Sequence, residues 1–213
     1  MGGRCIIEER ALVMTDRSGP GRFVVDTEKL PRHFPTHRHS PEFWENLGRT
    51  VATFGFLEEV LGKAIFSFTA TREFASDELE AAFESWLPTL QRALTDPLGG
   101  LIDSYGRAVC DNHNATIENL GVLLDDMRKA SAIRNVLCHG SWNVPDELGR
   151  SVPSFVNRRK EIFETAIDVA FLQQTQQHVA ELACAVINTV THMGWQFPGS
   201  NGPGNPIIRP DTG

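Results

Sequence analysis

The residues best suited to do chemistry lie in one short run, Arg134-Asn135-Val136-Leu137-Cys138-His139, extended by Gly140-Ser141-Trp142. Arginine is a permanent cation whose planar fork matches two phosphate oxygens. Histidine can take or give a proton near neutral pH. Asparagine can donate or accept a hydrogen bond beside them. Together these groups suit metal-free chemistry on a phosphodiester. RNA brings its own nucleophile, the 2′-hydroxyl. Cleavage then needs one group to take that proton, one to protonate the leaving oxygen, and a cation for the phosphorane. A single run supplies one His and one Arg. Five residues apart, they point about 140° away from each other on an ideal helix. Two copies related by a two-fold axis would complete the set, so the spacing implies a homodimer with the site at its interface. Structural readings stand beside this one. Arg134 could pair with Asp125 or Asp126, and Trp142 could be ordinary core. His139 could be a cation favoured by about 0.3–1 kcal/mol at a helix C-terminus.

These residues need a helix to carry them. Apolar residues at Ile117, Leu120, Leu124, Met127, Ile133, Val136 and Leu137 predict one from about Asn114 that stops at Gly140. Ser40-Pro41-Glu42 is a helix start, and Leu47, Val51, Phe54, Leu61, Ile65 and Phe68 carry that helix to about Thr69. Its Gly48, Gly55 and Gly62, with Ala52, form a small-residue stripe. Close intramolecular packing is the first reading of the stripe and a subunit interface the second. A further helix begins at Ser76-Asp77-Glu78, carries Leu79, Phe83, Trp86, Leu87 and Leu90 on its apolar face, and ends at Asp96-Pro97. Gly99-Gly100 reads as a connector and Leu101 to Val109 as a short helix. Residues 141–157 read as a small hairpin or ordered loop. Thr165-Ala166-Ile167-Asp168 resembles a capping box that opens a last long helix to about Met193. The expected fold is all-α, an antiparallel helical bundle over 41–196. An irregular segment, with a short strand at Arg22-Phe23-Val24-Val25, precedes it over 1–40. A flexible Gly- and Pro-rich tail follows over 197–213.

Composition narrows the classes. The chain has 213 residues and a formal charge of −7, which argues against general coating of nucleic acid but leaves room for a local phosphate grip. Apolar runs are too short and too interrupted for a membrane span. Cys5, Cys110, Cys138 and Cys184 are widely spaced, and no leader pattern is evident at Met1-Gly2-Gly3-Arg4. The expectation is a cytoplasmic protein with reduced thiols. No phosphate loop or metal-site spacing appears, and no cofactor is expected.

Weaker candidates surround the main one. Arg32, His33, His37, Arg38 and His39 crowd a proline-rich loop. Arg32, His37, Arg38 and His39 could extend an RNA-contacting surface. A solvated loop is the plainer reading, and a zinc site lacks its remaining ligands. Cys138 beside His139 suggests core packing, because no oxyanion motif accompanies it. Asp125-Asp126 reads as a solvated helix face. Trp44, Trp86 and Tyr105 sit at apolar helix positions and read as core.

The run resembles the R-x4-6-H motif of the HEPN superfamily. The longer Arg134-Asn135…His139-Gly140-Ser141-Trp142 is similar to the R-N-x-x-x-H-G-x-W version of many bacterial members. The resemblance spans about residues 41–193, although only the motif is specific. It implies a helical bundle, commonly dimeric, that acts as a metal-independent endoribonuclease of the toxin–antitoxin or phage-defence class. Arg134 and His139 would be catalytic, with Asn135 supporting them, and a protein antitoxin or defence partner would be in keeping. Many such domains are instead non-catalytic modules that bind a nucleotide, RNA or protein partner. One branch has a tyrosine two residues after the histidine that receives AMP. Here that position is Ser141, and the only tyrosine is Tyr105.

Overall fold

The computed structural model describes residues 24–72, 74–75, 77–205 and 207. They form five α-helices: α1 (Pro41–Ala70), α2 (Leu79–Thr95), α3 (Leu98–Cys110), α4 (Leu120–His139) and α5 (Val169–Thr191). Among the described residues there is no strand, only isolated bridges. The all-α bundle is therefore the observed architecture.

Helix α1 is its axis. It starts as the sequence implies, with the Ser40 hydroxyl accepting from Phe43 N at 3.1 Å and Pro41 in the first turn. Its inward face brings Phe54, Leu57, Leu61 and Phe68 against Ile102 and Tyr105 of α3, Met127 of α4, and Leu172, Val179 and Val186 of α5. Each such side chain contributes about 1.5–3 kcal/mol by leaving water. The pairing of α1 with α5 is the most extensive in the molecule. Two polar groups in the helical core are hydrogen-bonded. Thr50 Oγ1 donates within reach of the Asn46 and Leu172 carbonyls, and the Tyr105 hydroxyl meets Thr189 Oγ1 at 2.8 Å. Burial pushes the Tyr105 phenol up to about 12.

Several expectations change. Gly99 and Gly100 lie within α3 rather than in a connector, because the helix begins at Leu98, directly after Pro97. Helix α4 starts at Leu120, not near Asn114; Asn119 precedes it in the left-handed region at φ 58°. The start of α5 is capped by Asp168, whose carboxylate accepts from Phe171 N at 2.7 Å, and not by Thr165. Val51 on α1 stands exposed, as do Leu79, Phe83 and Leu87 on α2, where Ala93 alone is buried. Ser76, the expected start of α2, lies outside the described residues, and the helix follows Glu78 without a side-chain cap. Of the strand expected over residues 22–25, Val24 and Val25 are exposed and unpaired, and the rest lies outside the described residues, as does Cys5. Segment 24–40 holds only two short 3-10 turns, Thr27–Lys29 and Thr36–Arg38.

The small-residue stripe splits. A Cβ at Gly48 or Gly55 would meet nothing within 4 Å, so these two make no close helix contact. Gly62 does, since a Cβ there would stand 3.0 Å from the Ala93 carbonyl oxygen of α2. The chain after α5 also folds back. Phe197 is buried, and Trp195 pairs with Asn205, so the segment expected to be a loose tail packs through its first residues.

Candidate functional site

The end of α4 presents the Arg-Asn…His run. Leu137 and Val136 turn into the core and leave Asn135, Cys138 and His139 exposed. Exposure of Cys138 corrects the expectation of core packing. Among the described residues no hydrogen bond or ion pair engages the side chains of Asn135 or His139. Arg134 is half-buried. Its Nη2 stands 3.6 Å from Glu58 Oε1 on α1. That carboxylate oxygen is buried and has no hydrogen bond, so the pair is electrostatic rather than hydrogen-bonded. Asp125 and Asp126, the partners suggested by sequence proximity, are instead taken by Arg128 and Lys129.

Arg134 lines a cleft of about 730 Å³ with Glu58, Lys63, Leu90, Pro97 and Pro198. His139 is not part of that lining. Within one chain, then, the cation and the imidazole do not share a cavity, as their five-residue spacing implies.

Gly140 ends α4, though not for the expected reason. Its φ is −71°, which any residue adopts, and its N–H closes the helix on the Val136 carbonyl at 2.8 Å. What requires glycine is proximity. A Cβ would lie 2.6 Å from Val136 O and 2.9 Å from Pro153 Cβ. Pro153 belongs to an ordered excursion over residues 141–168, longer than the expected 141–157. Bridges between Ser141 and Ser154, Val156 and Ile162, and Ser151 and Ile167 hold it together. Trp142 then turns inward and meets Phe43 edge-on at 4.9 Å, with Trp44 at 6.3 Å. The Gly-x-Trp extension thus fastens the end of α4 to the start of α1.

The histidine-rich loop meets the same aromatic cluster. His39 stacks on Phe43 at 4.4 Å and lies edge-on to Trp44 and Trp142, with its Nε2 buried and unbonded. Burial holds its pKa below the ordinary value of 6.5. His37 stacks on Phe34, and its Nδ1 is likewise buried. Arg32 and Arg38 are exposed. Arg38 and His39 line a small cleft with Glu42, Asp146, Glu147 and Asp168, which would repel a phosphate. Of the four residues suggested as RNA contacts, His39 is thus a packing element, and Arg38 stands among carboxylates. Among the described residues no three His, Cys, Asp or Glu side chains converge as a metal-ligand set, and no helix is long and apolar enough to cross a membrane.

Sequence reasoning missed Glu58. The acid lies on a different helix, and no local pattern links it to Arg134. Comparison with family models, curated proteins and solved structures finds no match to this chain.

Proposed function

We propose that this chain is a metal-independent endoribonuclease of HEPN type, cytoplasmic and of the toxin or phage-defence class. It would act as a homodimer in which two α4 ends face one RNA strand. The observation that carries the reading is the state of His139: exposed at a helix end, with no side-chain partner among the described residues, five residues after a half-buried arginine.

In the proposed reaction the imidazole of one copy takes the 2′-hydroxyl proton. The 2′-oxygen attacks the adjacent phosphorus, and the P–O5′ bond breaks. The imidazolium of the second copy protonates the departing 5′-oxygen. Arg134 binds the non-bridging oxygens as charge gathers on them. Asn135 orients one of these groups. The products are a 2′,3′-cyclic phosphate and a 5′-hydroxyl.

The test is RNA cleavage in EDTA. Wild type should cut and leave cyclic phosphate ends, while His139→Ala and Arg134→Ala each lose about 100-fold or more. Cleavage of DNA, a need for a divalent ion, or undiminished cutting by His139→Ala would refute the mechanism.

One observation favours a second reading, a non-catalytic HEPN-like module that binds a nucleotide, RNA or protein partner such as an antitoxin. The guanidinium of Arg134 already faces a carboxylate, Glu58, inside a cleft that His139 does not line. On that reading Arg134→Ala abolishes partner binding and His139→Ala does not.

A further inference from the structure

Helix α2 is fastened to the bundle at one end and stands off at the other. Near its C-terminus the Ala93 carbonyl lies against Gly62 of α1, close enough that a Cβ there would be 3.0 Å away. Toward its N-terminus Leu79 and Phe83 remain 60% and 55% exposed, although both sit on the apolar face. The wedge between α2, the end of α1 and α3 is a cleft of about 670 Å³, within the range of small-molecule sites. It shares no lining residue with the cleft that holds Arg134.

Two features of the cleft belong together. One wall is aromatic. Trp86 is pinned by its Nε1 donating to Thr69 Oγ1 at 2.8 Å, and Phe66 backs it from outside the cleft at 5.9 Å. Phe83 lies 5.9 Å from the same indole, and Phe74 completes the apolar wall. The other feature is charge. Arg72 just after α1, Arg92 on α2 and Arg107 on α3 line the cleft with one acid, Asp111, among the described residues. In a chain of net charge −7 this is a concentration of cations. Asp111 meets Arg72 Nη2 at 3.1 Å, but Arg72 Nε is buried without a partner among the described residues. Arg107 is steadied by Ser104 Oγ at 3.1 Å, and Arg92 has no ion-pair partner among the described residues.

We propose that this cleft binds an amphipathic organic anion: a flat aromatic body seated against Phe74, Phe83 and Trp86, with a carboxylate or phosphate head held by Arg72, Arg92 and Arg107. A fixed indole face favours a planar ring over a flexible chain. Guanidinium groups from separate elements suit a multi-oxygen anion better than a neutral group.

Titration of the full chain with 8-anilinonaphthalene-1-sulfonate, an aromatic sulfonate, tests this. Saturable binding at one site per chain is expected, with displacement by 1-naphthoate but not by neutral 1-naphthalenemethanol at the same concentration. Arg92 and Arg107 are exposed, so Arg92→Ala and Arg107→Ala should fold normally by circular dichroism. Each should weaken binding about tenfold, and the pair more. Phe83→Ala should weaken it too. Equal displacement by the neutral analogue, or undiminished binding by the Arg92→Ala/Arg107→Ala protein, overturns the proposal. So does a stable dimer in sedimentation that Phe83→Asp disrupts, since a second copy would then cover the α2 face.

Discussion

Arg134 on α4 faces Glu58 on α1 across 3.6 Å, and the two side chains keep 27% and 29% of their surface exposed. The separation is too long for a hydrogen bond, so each partner is only half committed to the other. An RNA phosphate arriving at Arg134 would have to share the guanidinium with this carboxylate. Glu58→Gln keeps the shape and removes the opposing charge. The pair itself is worth about 0.2–1 kcal/mol at this exposure, so the melting temperature should barely move. Affinity for a short single-stranded RNA should rise about two- to fivefold, read by fluorescence anisotropy. Unchanged affinity would mean that Arg134 does not receive the phosphate.

Gly140→Ala should destabilise the protein although its backbone angles suit alanine. The new methyl group would lie 2.6 Å from Val136 O and 2.9 Å from Pro153 Cβ. Relief requires moving the chain that carries Trp142, at a cost of about 1–3 kcal/mol. A urea midpoint reads the loss, and near-ultraviolet circular dichroism should report a disturbed aromatic cluster. A variant as stable as wild type would show that the excursion over 141–168 yields easily.

The two ways of reading this glycine show where sequence stops being informative. Its role as a helix stop is legible, because glycine after an apolar-periodic run has one common meaning. Its contact with Pro153 is not, because nothing local announces which segment returns there. The same division runs through the fold. Ser40-Pro41 and the α1 stripe locate that helix, since capping and periodicity are local physics. The apolar face of α2 is equally visible, yet periodicity reports which side is greasy and not whether anything covers it. Phe83 lies on that apolar face and is nevertheless 55% exposed. Arg134 and His139 are identifiable by type. Glu58, the acid that faces Arg134, comes from another helix and is beyond any local pattern.

His39 should make stability depend on pH. Burial against Phe43, Trp44 and Trp142 lowers its pKa in the folded state. The acids near it are Glu42, Asp146, Glu147 and Asp168, and Arg38 is its charged neighbour. With a depressed folded value, the unfolded chain binds the proton more readily. The stabilising contribution is then complete above the ordinary 6.5 and is lost as pH falls through the folded value. His39→Phe preserves the stacking and removes the proton site. Urea midpoints between pH 8 and pH 5 should fall more steeply for wild type than for this variant. Parallel curves would show that other groups set the pH response.

The three glycines of α1 should respond to alanine with opposite signs. At Gly48 and Gly55 the added methyl meets nothing within 4 Å, so the gain in helix propensity is uncompensated. Each substitution should stabilise a monomer by about 0.5–1 kcal/mol. At Gly62 the methyl meets the Ala93 carbonyl oxygen at 3.0 Å. Backbone of α2 must then move, and an overpacking cost of about 1–3 kcal/mol outweighs the propensity gain. Chemical denaturation at several protein concentrations separates the cases. If Gly48→Ala and Gly55→Ala lower the midpoint, and do so more at high concentration, the open part of the stripe is a subunit interface. In that case the backbone of a second copy approaches where this chain leaves space. If both raise the midpoint at every concentration, the proposed dimer would have to join its α4 ends through a different face.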